Sequence, residues 1–301
     1  MADLSISNLF NVNGMVFVIT GGGSGLGESM ALALDKNGAS KVFILGRREA
    51  SLKAVANKAV NGSVVPVVAD VSSKPSMENA VEQVEKNTSF VNVVIANGGI
   101  LGPLTNFPSR DPNEMISELQ KNMWELPLEE VRQMIDINVL GVYFTFTAFL
   151  HLLDAGNTHS QSRGKADSIQ SQFISCLSIA AFSRLEKVSH FYASQKAALA
   201  HLTKILQTQF AHRCIRVNGI APGLYLTEMT EVCDSSSDWG VQLTCVAPGS
   251  LPLEQHPAMR AGSAEDIAGA ILFLVSKAGA FINGNMLLTD GGALGIEPSV
   301  Y

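Results

Sequence analysis

The chain has 301 residues and a formal net charge of −6 at pH 7, and only 16% of its residues are charged. This acidic balance argues against binding to nucleic acid or to an anionic membrane. No run reaches the roughly 18–20 apolar residues that a membrane span needs. The first apolar run, 15–19, continues into glycines, unlike a signal peptide. The four cysteines form no CxxC pair, so we expect reduced thiols and a cytoplasmic protein.

Short β-branched runs alternate with longer amphipathic stretches along the chain. The runs predict strands at 15–20, 41–45, 64–69, 91–96, 172–177, 215–221 and 285–290. The stretches predict helices at 25–37, 49–60, 74–87, 128–154, 189–212 and 264–277. Strands separated by helix-length segments indicate right-handed βαβ units. We therefore expect a single α/β domain over 1–301, with a doubly wound, mostly parallel, Rossmann-like sheet of seven strands flanked by helices.

Three segments do not fit this alternation. Residues 106–127 form an extended insertion before a long helix, and 154–170 are polar, which predicts a mobile surface loop. Residues 229–262 are rich in Ser, Gly and Pro and follow a strand, which makes them a candidate lid. Because loops carry specificity more often than the scaffold does, we expect the first and third segments to affect substrate choice most.

A glycine-rich turn directly follows the first predicted strand, where 20–27 read TGGGSGLG. Glycines let backbone N–H groups approach a pyrophosphate, and the start of the next helix favours its negative charge. An ordinary strand–helix turn is the alternative, but the position in the first βα unit favours a dinucleotide site. The candidate cofactor-binding residues of this turn are Gly21, Ser24, Gly25, Leu26 and Gly27.

The end of the second predicted strand indicates which dinucleotide is bound. NAD sites usually have Asp or Glu there, which binds the ribose 2′-hydroxyl. Here the chain reads Leu45-Gly46-Arg47-Arg48. Guanidinium groups suit the 2′-phosphate of NADP. The sequence therefore predicts NADP, with a pair of solvated surface arginines as the alternative.

Tyr192 and Lys196 lie one turn apart near the start of a long predicted helix. A nearby ammonium favours the phenolate form of a tyrosine, which suits acid–base chemistry. The YxxxK pattern alone is common, and a surface pair would also explain it. A metal site is not expected, because His190 and His201 lie far apart with no carboxylate or cysteine at ligand spacing.

Together these features resemble the compact, single-domain subgroup of the short-chain dehydrogenase/reductase family, from about Gly14 to about Gly292. The TGxxxGxG motif of that family matches 20–27, and its YxxxK motif matches Tyr192 and Lys196. Its NNAG motif is replaced by ANGG at 96–99. This departure keeps the second Asn, Asn97, and the last Gly, Gly99. The remaining matches are Asp70, Val71, Asn138, Ser178, Pro222, Gly223, Thr227 and the DGG at 290–292. The segment 229–262 and the C-terminal region look most like members from fungal natural-product pathways.

The resemblance implies a catalytic set of Asn138, Ser178, Tyr192 and Lys196. Tyr192 would donate a proton, and Ser178 would hydrogen-bond the same oxygen. Lys196 would favour the phenolate and hold the nicotinamide ribose, and Asn138 would anchor a water that links Lys196 to solvent. The implied cofactor contacts beyond the glycine turn and the arginines are Asp70, Val71, Asn97, Gly98, Tyr192, Lys196, Pro222, Gly223, Tyr225 and Thr227. Packing within the lid is the alternative for Tyr225.

The first functional hypothesis is the reduction by NADPH of a ketone or aldehyde in a small organic molecule, such as a secondary metabolite. An NADP-dependent alcohol dehydrogenase working in the oxidative direction is the second. A cofactor-bound cyclase or nucleotide sensor is a third, from a different class. The complete set of catalytic residues argues against a sensor, which needs no proton relay.

We also expect a homo-oligomer, a tetramer or else a dimer, since the family usually forms these. The predicted helices at 128–154 and 189–212 carry apolar residues on more than one face, including Phe144, Phe149, Leu199 and Leu202. The tail at 296–301 ends in an apolar pair with no obvious place in the core of a monomer. Packing of these side chains under the insertions is the alternative.

Overall fold

Seven parallel strands form one sheet in the order β3-β2-β1-β4-β5-β6-β7. The computed structural model describes residues 3–103, 115–162, 169–185, 189–228, 247–254 and 256–301. The strands are β1 (Val16–Thr20), β2 (Lys41–Gly46), β3 (Val64–Val68), β4 (Val93–Ala96), β5 (Gln172–Cys176), β6 (Arg216–Pro222) and β7 (Met286–Thr289). The order reverses direction between β1 and β4, so the doubly wound, single-domain α/β fold is confirmed.

Helices cover both faces of the sheet. They are α1 (Ile6–Leu9), α2 (Gly25–Lys36), α3 (Glu49–Lys58), α4 (Lys74–Glu85), α5 (Ile116–Trp124), α6 (Leu128–Ile135), α7 (Gly141–Ala148), α8 (Leu150–Ser162), α9 (His190–Phe210) and α10 (Ala264–Val275). On one face α2 and α10 pack against Phe17 and Ile44, and on the other α4, α7 and α9 pack against Phe43 and Phe173. Because both faces are covered, the strands are apolar along their length instead of alternating.

The long helix predicted at 128–154 is interrupted twice. A π-helical turn, Asp136–Leu140, joins α6 to α7, and α8 then follows α7 at an angle of 45°. No single helix in the described part of the chain is long and apolar enough to cross a membrane. The bent pair Leu128–Ala148 and Leu150–His159 reaches that length and composition only when taken together.

The surface loop predicted at 154–170 is wrong for its first half, because α8 continues to Ser162. The reason is a tertiary contact that composition does not reveal. Asn157 is buried and donates from Nδ2 to the carbonyl of Cys214 at 2.9 Å, and its Oδ1 accepts from the Ser171 amide at 2.7 Å. These contacts hold the polar end of α8 against the sheet. Residues 163–168 lie outside the described part.

The other two predicted segments are described only in part. In the insertion predicted at 106–127, α5 occupies Ile116–Trp124, and 104–114 lie outside the described residues. In the candidate lid at 229–262, only 247–254 and 256–262 are described.

Two observations correct the reasoning about assembly. Phe149 and Leu199 are buried in the core of the chain itself, at 0% and 1% exposure. The tail also lies on its own subunit, where the Arg184 amide donates to the Pro298 carbonyl at 2.7 Å and the Val300 amide to the Phe182 carbonyl at 2.9 Å. The sequence could not show this because the partner segment lies more than a hundred residues earlier.

Candidate active site

The glycine turn between β1 and α2 is closely packed against itself. Gly21 has φ +67°, and a Cβ on Gly27 would lie 2.2 Å from the Gly21 carbonyl oxygen. Asn97, which follows β4, donates from Nδ2 to the carbonyls of Thr20 and Gly21, both at 3.2 Å. Gly98 also donates its amide to Thr20 Oγ1 at 3.1 Å. Asn97 and Gly98, which follow the neighbouring strand β4, therefore hold the turn in place.

Arg48 lies beside this turn. Its Nη2 donates to Ser24 Oγ at 3.2 Å and forms an ion pair with Glu228 Oε2 at 2.7 Å, and both side chains of the pair are 60% exposed. Thr227, which precedes the candidate lid, also lies near the glycine turn, since a Cβ on Gly25 would lie 3.2 Å from Thr227 Cγ2. A guanidinium at this place can bind an anion that reaches the start of α2.

Asp70 follows β3 and accepts hydrogen bonds from the Ser72 amide at 3.0 Å and the Ser72 hydroxyl at 2.6 Å. Partial burial raises the pKa of this carboxyl, but the Ser72 hydrogen bonds and the charge of Arg47 outweigh it and hold the pKa below its usual range. The neighbouring Val71 packs against Gly141 at the start of α7. Asp70 is therefore an ionised acceptor at the edge of the sheet where β1 to β4 end.

Asn138 lies in the π-helical turn and is 1% exposed. Its Oδ1 accepts from the Ile100 amide at 2.9 Å, and its Nδ2 donates to the Ile100 carbonyl at 2.9 Å and to Gln195 Oε1 at 3.0 Å. Single π-turns within α-helices are frequent at functional sites. Here the turn lets one side chain tie the segment after β4 to α9.

Ser178 and Tyr192 lie at the two ends of the segment that follows β5. Ser178 Oγ accepts from the Ala180 amide at 3.1 Å, which leaves its hydroxyl proton available for donation. Tyr192 lies in the first turn of α9, where Ser189 Oγ accepts from the Tyr192 amide at 3.4 Å. Both side chains are only partly buried, so both can contact a ligand in the cleft.

Lys196 is 6% exposed and donates from Nζ to the Cys176 carbonyl at 2.9 Å. The same Nζ lies 5.6 Å from the centroid of the Tyr192 ring. A Cβ on Gly99 would lie 3.1 Å from Asn138 Oδ1 and 3.9 Å from Lys196 Nζ. Asn138, Tyr192 and Lys196 thus lie close together, and Ser178 follows the end of β5. All four lie towards the carboxyl edge of the sheet, where open α/β sheets bind ligands.

A model of the family described as short chain dehydrogenase matches residues 15–238. The chain is 41% identical to the short-chain dehydrogenase/reductase PhomF of Diaporthe leptostromiformis over 99% of this chain and 97% of that protein. It is 38% identical to SAT3 of Stachybotrys chartarum over 90% of this chain and 100% of that protein. The chain belongs to the short-chain dehydrogenase family.

Among solved structures, one superposes on the chain with a TM-score of 0.73. It is the 3-ketoacyl-(acyl-carrier-protein) reductase of Brucella melitensis complexed with NADH, which is 25% identical and is matched over 94% of this chain and 99% of that one. The resemblance found in the sequence is therefore confirmed for the family and for the fold.

The residues of this short-chain dehydrogenase fit a nicotinamide dinucleotide. The Gly21–Gly27 approach leaves no space for a side chain, and the turn opens α2 with Arg48 beside it. The end of β6 contributes Pro222 and Gly223, and the Gly223 amide donates to the Thr289 carbonyl at 3.0 Å. In the described part of the chain, no group of three His, Cys, Asp or Glu side chains is arranged to hold a metal ion.

The structure shows the surroundings of Tyr225, for which the sequence left cofactor contact and packing open. Tyr225 is 5% exposed and packs in the core on Gly262, where a Cβ would lie 2.5 Å from its ring. Burial raises the pKa of its hydroxyl. The packing alternative describes this side chain, because the segment that returns at Gly262 covers it. Leu26 likewise packs against the core beneath the turn.

Sequence reasoning missed two residues that contact the site. Gln195 accepts from Asn138, and Glu228 pairs with Arg48. A signal for Gln195 was available: it lies on the same face of α9 as the buried Leu199 and Leu206, where a polar side chain needs an explanation. Glu228 gave no such signal, because a carboxylate in a surface loop is ordinary.

Proposed function

We propose that the chain reduces a ketone or aldehyde of a small organic molecule and that it prefers NADPH as the hydride donor. The observation that supports this proposal is the position of Lys196 Nζ, which lies 5.6 Å from the centroid of the Tyr192 ring and donates to the carbonyl of Cys176, two residues before Ser178. The Brucella melitensis relative is a ketoacyl reductase, which supports reduction of a carbonyl. The resemblance to members from fungal natural-product pathways, together with the similarity to the fungal proteins PhomF and SAT3, favours a secondary metabolite as the substrate class.

The bound cofactor would supply hydride to the carbonyl carbon. The Tyr192 hydroxyl donates its proton to the oxygen that becomes an alcohol, and the Ser178 hydroxyl donates a hydrogen bond to the same oxygen. The Lys196 ammonium lies next to the Tyr192 ring and stabilises the phenolate that remains. A proton from solvent then restores the Tyr192 hydroxyl, so one hydride and one proton are consumed for each carbonyl.

The preference for NADPH rests on Arg47 and Arg48. Arg48 lies between Ser24 and Glu228, and Arg47 lies near enough to Asp70 for its charge to act on that carboxyl. A 2′-phosphate would meet two guanidinium groups there, whereas the 2′-hydroxyl of NADH would not gain this attraction. The Brucella melitensis relative was solved with NADH and therefore does not support a preference for NADPH. We base the preference only on the arginines of this chain.

A panel of carbonyl compounds tests the proposal. The loss of NADPH absorbance is followed with cyclic ketones, aryl ketones, β-keto esters and aldehydes, and with NADH in place of NADPH. We expect turnover with at least one carbonyl class and faster turnover with NADPH. Tight binding of NADPH without consumption by any class would favour a nucleotide sensor instead.

A further inference from the structure

Gln195 immediately precedes Lys196 on α9, and its side chain is 6% exposed. Its amide has two groups that form hydrogen bonds. Oε1 accepts from Asn138 Nδ2 at 3.0 Å. Nε2 is buried and has no hydrogen-bond partner within the described ranges of the chain. Gln195 is therefore half-satisfied at a position next to the candidate catalytic lysine.

The orientation of this amide follows from its neighbours. The backbone N–H of Ile100 can only donate, so Asn138 must turn its Oδ1 towards it. The Nδ2 of Asn138 then faces the Ile100 carbonyl and Gln195. Because Nδ2 is a donor, Gln195 must present Oε1. A flipped amide would bring two donors together, so Nε2 is the atom that lacks a partner.

A buried donor without a partner lowers stability, and an apolar side chain of the same shape would avoid that cost. Buried polar groups that lack a protein partner are usually bonded to an internal water. Gln195 contacts Asn138 through Oε1, and the Oδ1 of Asn138 approaches Gly99 together with Lys196 Nζ, within 3.1 and 3.9 Å of the place where a Cβ would lie. Asn138 therefore connects Gln195 to the polar region around Lys196.

We propose that Gln195 is a positioning residue for the proton path of the proposed reaction. Its Oε1 fixes the Asn138 amide, and its Nε2 donates to a buried water that supplies protons to Lys196. In each turnover the Tyr192 O–H bond breaks and the alkoxide takes that proton. The Lys196 ammonium returns a proton to the phenolate oxygen and takes one from the water, which solvent replenishes. This role rests on the proposed carbonyl reduction.

Two substitutions separate the two halves of the amide. Gln195→Glu keeps an oxygen for Asn138 and loses the donor, whereas Gln195→Met keeps the length and loses both. Gln209→Met, at an exposed position of the same helix, is the matched control. We expect kcat to fall roughly tenfold in both variants, with a larger solvent isotope effect in D2O and a displaced pH profile of kcat. The affinity for NADPH and the KM for the carbonyl should change less than twofold.

A crystal structure of the native protein provides a measurement that does not depend on activity. Density for a water within hydrogen-bond distance of Gln195 Nε2 is expected there, and its absence would overturn the proposal. A native pH profile and isotope effect in Gln195→Met, even with a lower melting temperature, would also overturn it by showing a purely structural role. A native chain that consumes no NADPH with any carbonyl would contradict the proposed carbonyl reduction itself. The two failures are therefore distinguishable, because the role of Gln195 is tested only in a chain that reduces a carbonyl.

Discussion

Three polar side chains of the candidate site are each held by more than one hydrogen bond. Asp70 accepts twice from Ser72, Asn97 donates to the carbonyls of the glycine turn, and Asn138 bonds to both polar groups of Ile100. Each of them therefore has one orientation before a ligand arrives. Such preorganisation reduces the conformational entropy that binding must remove.

Substitution of both arginines tests the basis of the cofactor preference. In Arg47→Ala/Arg48→Ala we expect NADPH to bind at least roughly tenfold more weakly, because charge-assisted hydrogen bonds contribute about 1.5–3 kcal/mol each. The affinity for NADH should change little. Fluorescence titration of both cofactors measures the two constants, and Lys53→Ala, which removes an exposed surface pair with Glu49, is the control. Equal losses for NADPH and NADH would contradict the role of the arginines.

Among single residues, those that belong to a local pattern could be predicted from the sequence. Those that act through contacts with distant parts of the chain could not. Tyr192 and Lys196 lie one helical turn apart, and the resemblance to family motifs identified Asn97 and Ser178, each of which follows a strand. Gln195 meets Asn138 across 57 residues of sequence, and Glu228 meets Arg48 across 180. Only the folded chain brings these pairs together.

The C-terminal tail is the element with the clearest unexpected role. It forms an antiparallel bridge between Ser299 and Ser183, and the Tyr301 ring lies 4.9 Å from the Phe182 ring. The tail thus braces the segment that connects Ser178 to Tyr192. It contains Glu297, whose Oε2 accepts from the Ser183 hydroxyl at 3.2 Å.

The charge of Glu297 should make the stability that this contact of the tail contributes depend on pH. Burial, together with the nearby Asp290 carboxylate, raises the pKa of Glu297 above its ordinary value despite the Ser183 hydrogen bond. The folded chain therefore binds this proton more tightly than the unfolded chain does. The resulting stability is complete below the unfolded pKa and is lost as pH rises through the folded pKa.

Glu297→Gln, which mimics the protonated form, should therefore raise the melting temperature near pH 7 relative to the native chain. The difference should disappear below about pH 4, where the native carboxyl is also neutral. Melting curves across this range make the comparison, and Glu82→Gln on the exposed side of α4 is the control. A melting temperature that falls at pH 7 would contradict the prediction.

The strands were predictable because burial on both sides leaves a continuous apolar run. Helices α2, α3, α4, α9 and α10 were predictable from their amphipathic pattern. The break of the predicted 128–154 helix was not, since Asp136–Leu140 has no proline or glycine to mark a π-turn. The helical course of 154–162 was hidden by its polar composition, which the contacts of Asn157 outweigh. Both errors lie where tertiary contacts decide the backbone.

For the whole molecule, the expectation of a homotetramer now rests on different residues. Phe149 and Leu199 are internal, but α6, α7 and α9 expose Ile135, Tyr143, Phe191 and Ile205, each by more than 40%. Apolar side chains on neighbouring helices suit a symmetric contact with a second copy. We propose that these helices form such an interface.

Light scattering after size exclusion at micromolar concentration tests the assembly. We expect a mass about four times that of the 32.0 kDa chain. Ile205→Glu should lower the mass, whereas Thr208→Glu, at an exposed polar position of the same helix, should leave it unchanged. A single native species of 32.0 kDa would refute the expectation.

The turnover of Tyr192→Phe with a carbonyl that the native chain reduces tests the proposed carbonyl reduction most directly. The substitution removes the proton donor and keeps the ring beside Lys196. Tyr143→Phe, which removes an exposed hydroxyl elsewhere, is the matched control. We expect kcat to fall by about 10²–10⁴-fold in Tyr192→Phe while NADPH still binds, and we expect the control to keep native turnover. Near-native turnover in Tyr192→Phe would contradict carbonyl reduction by this mechanism.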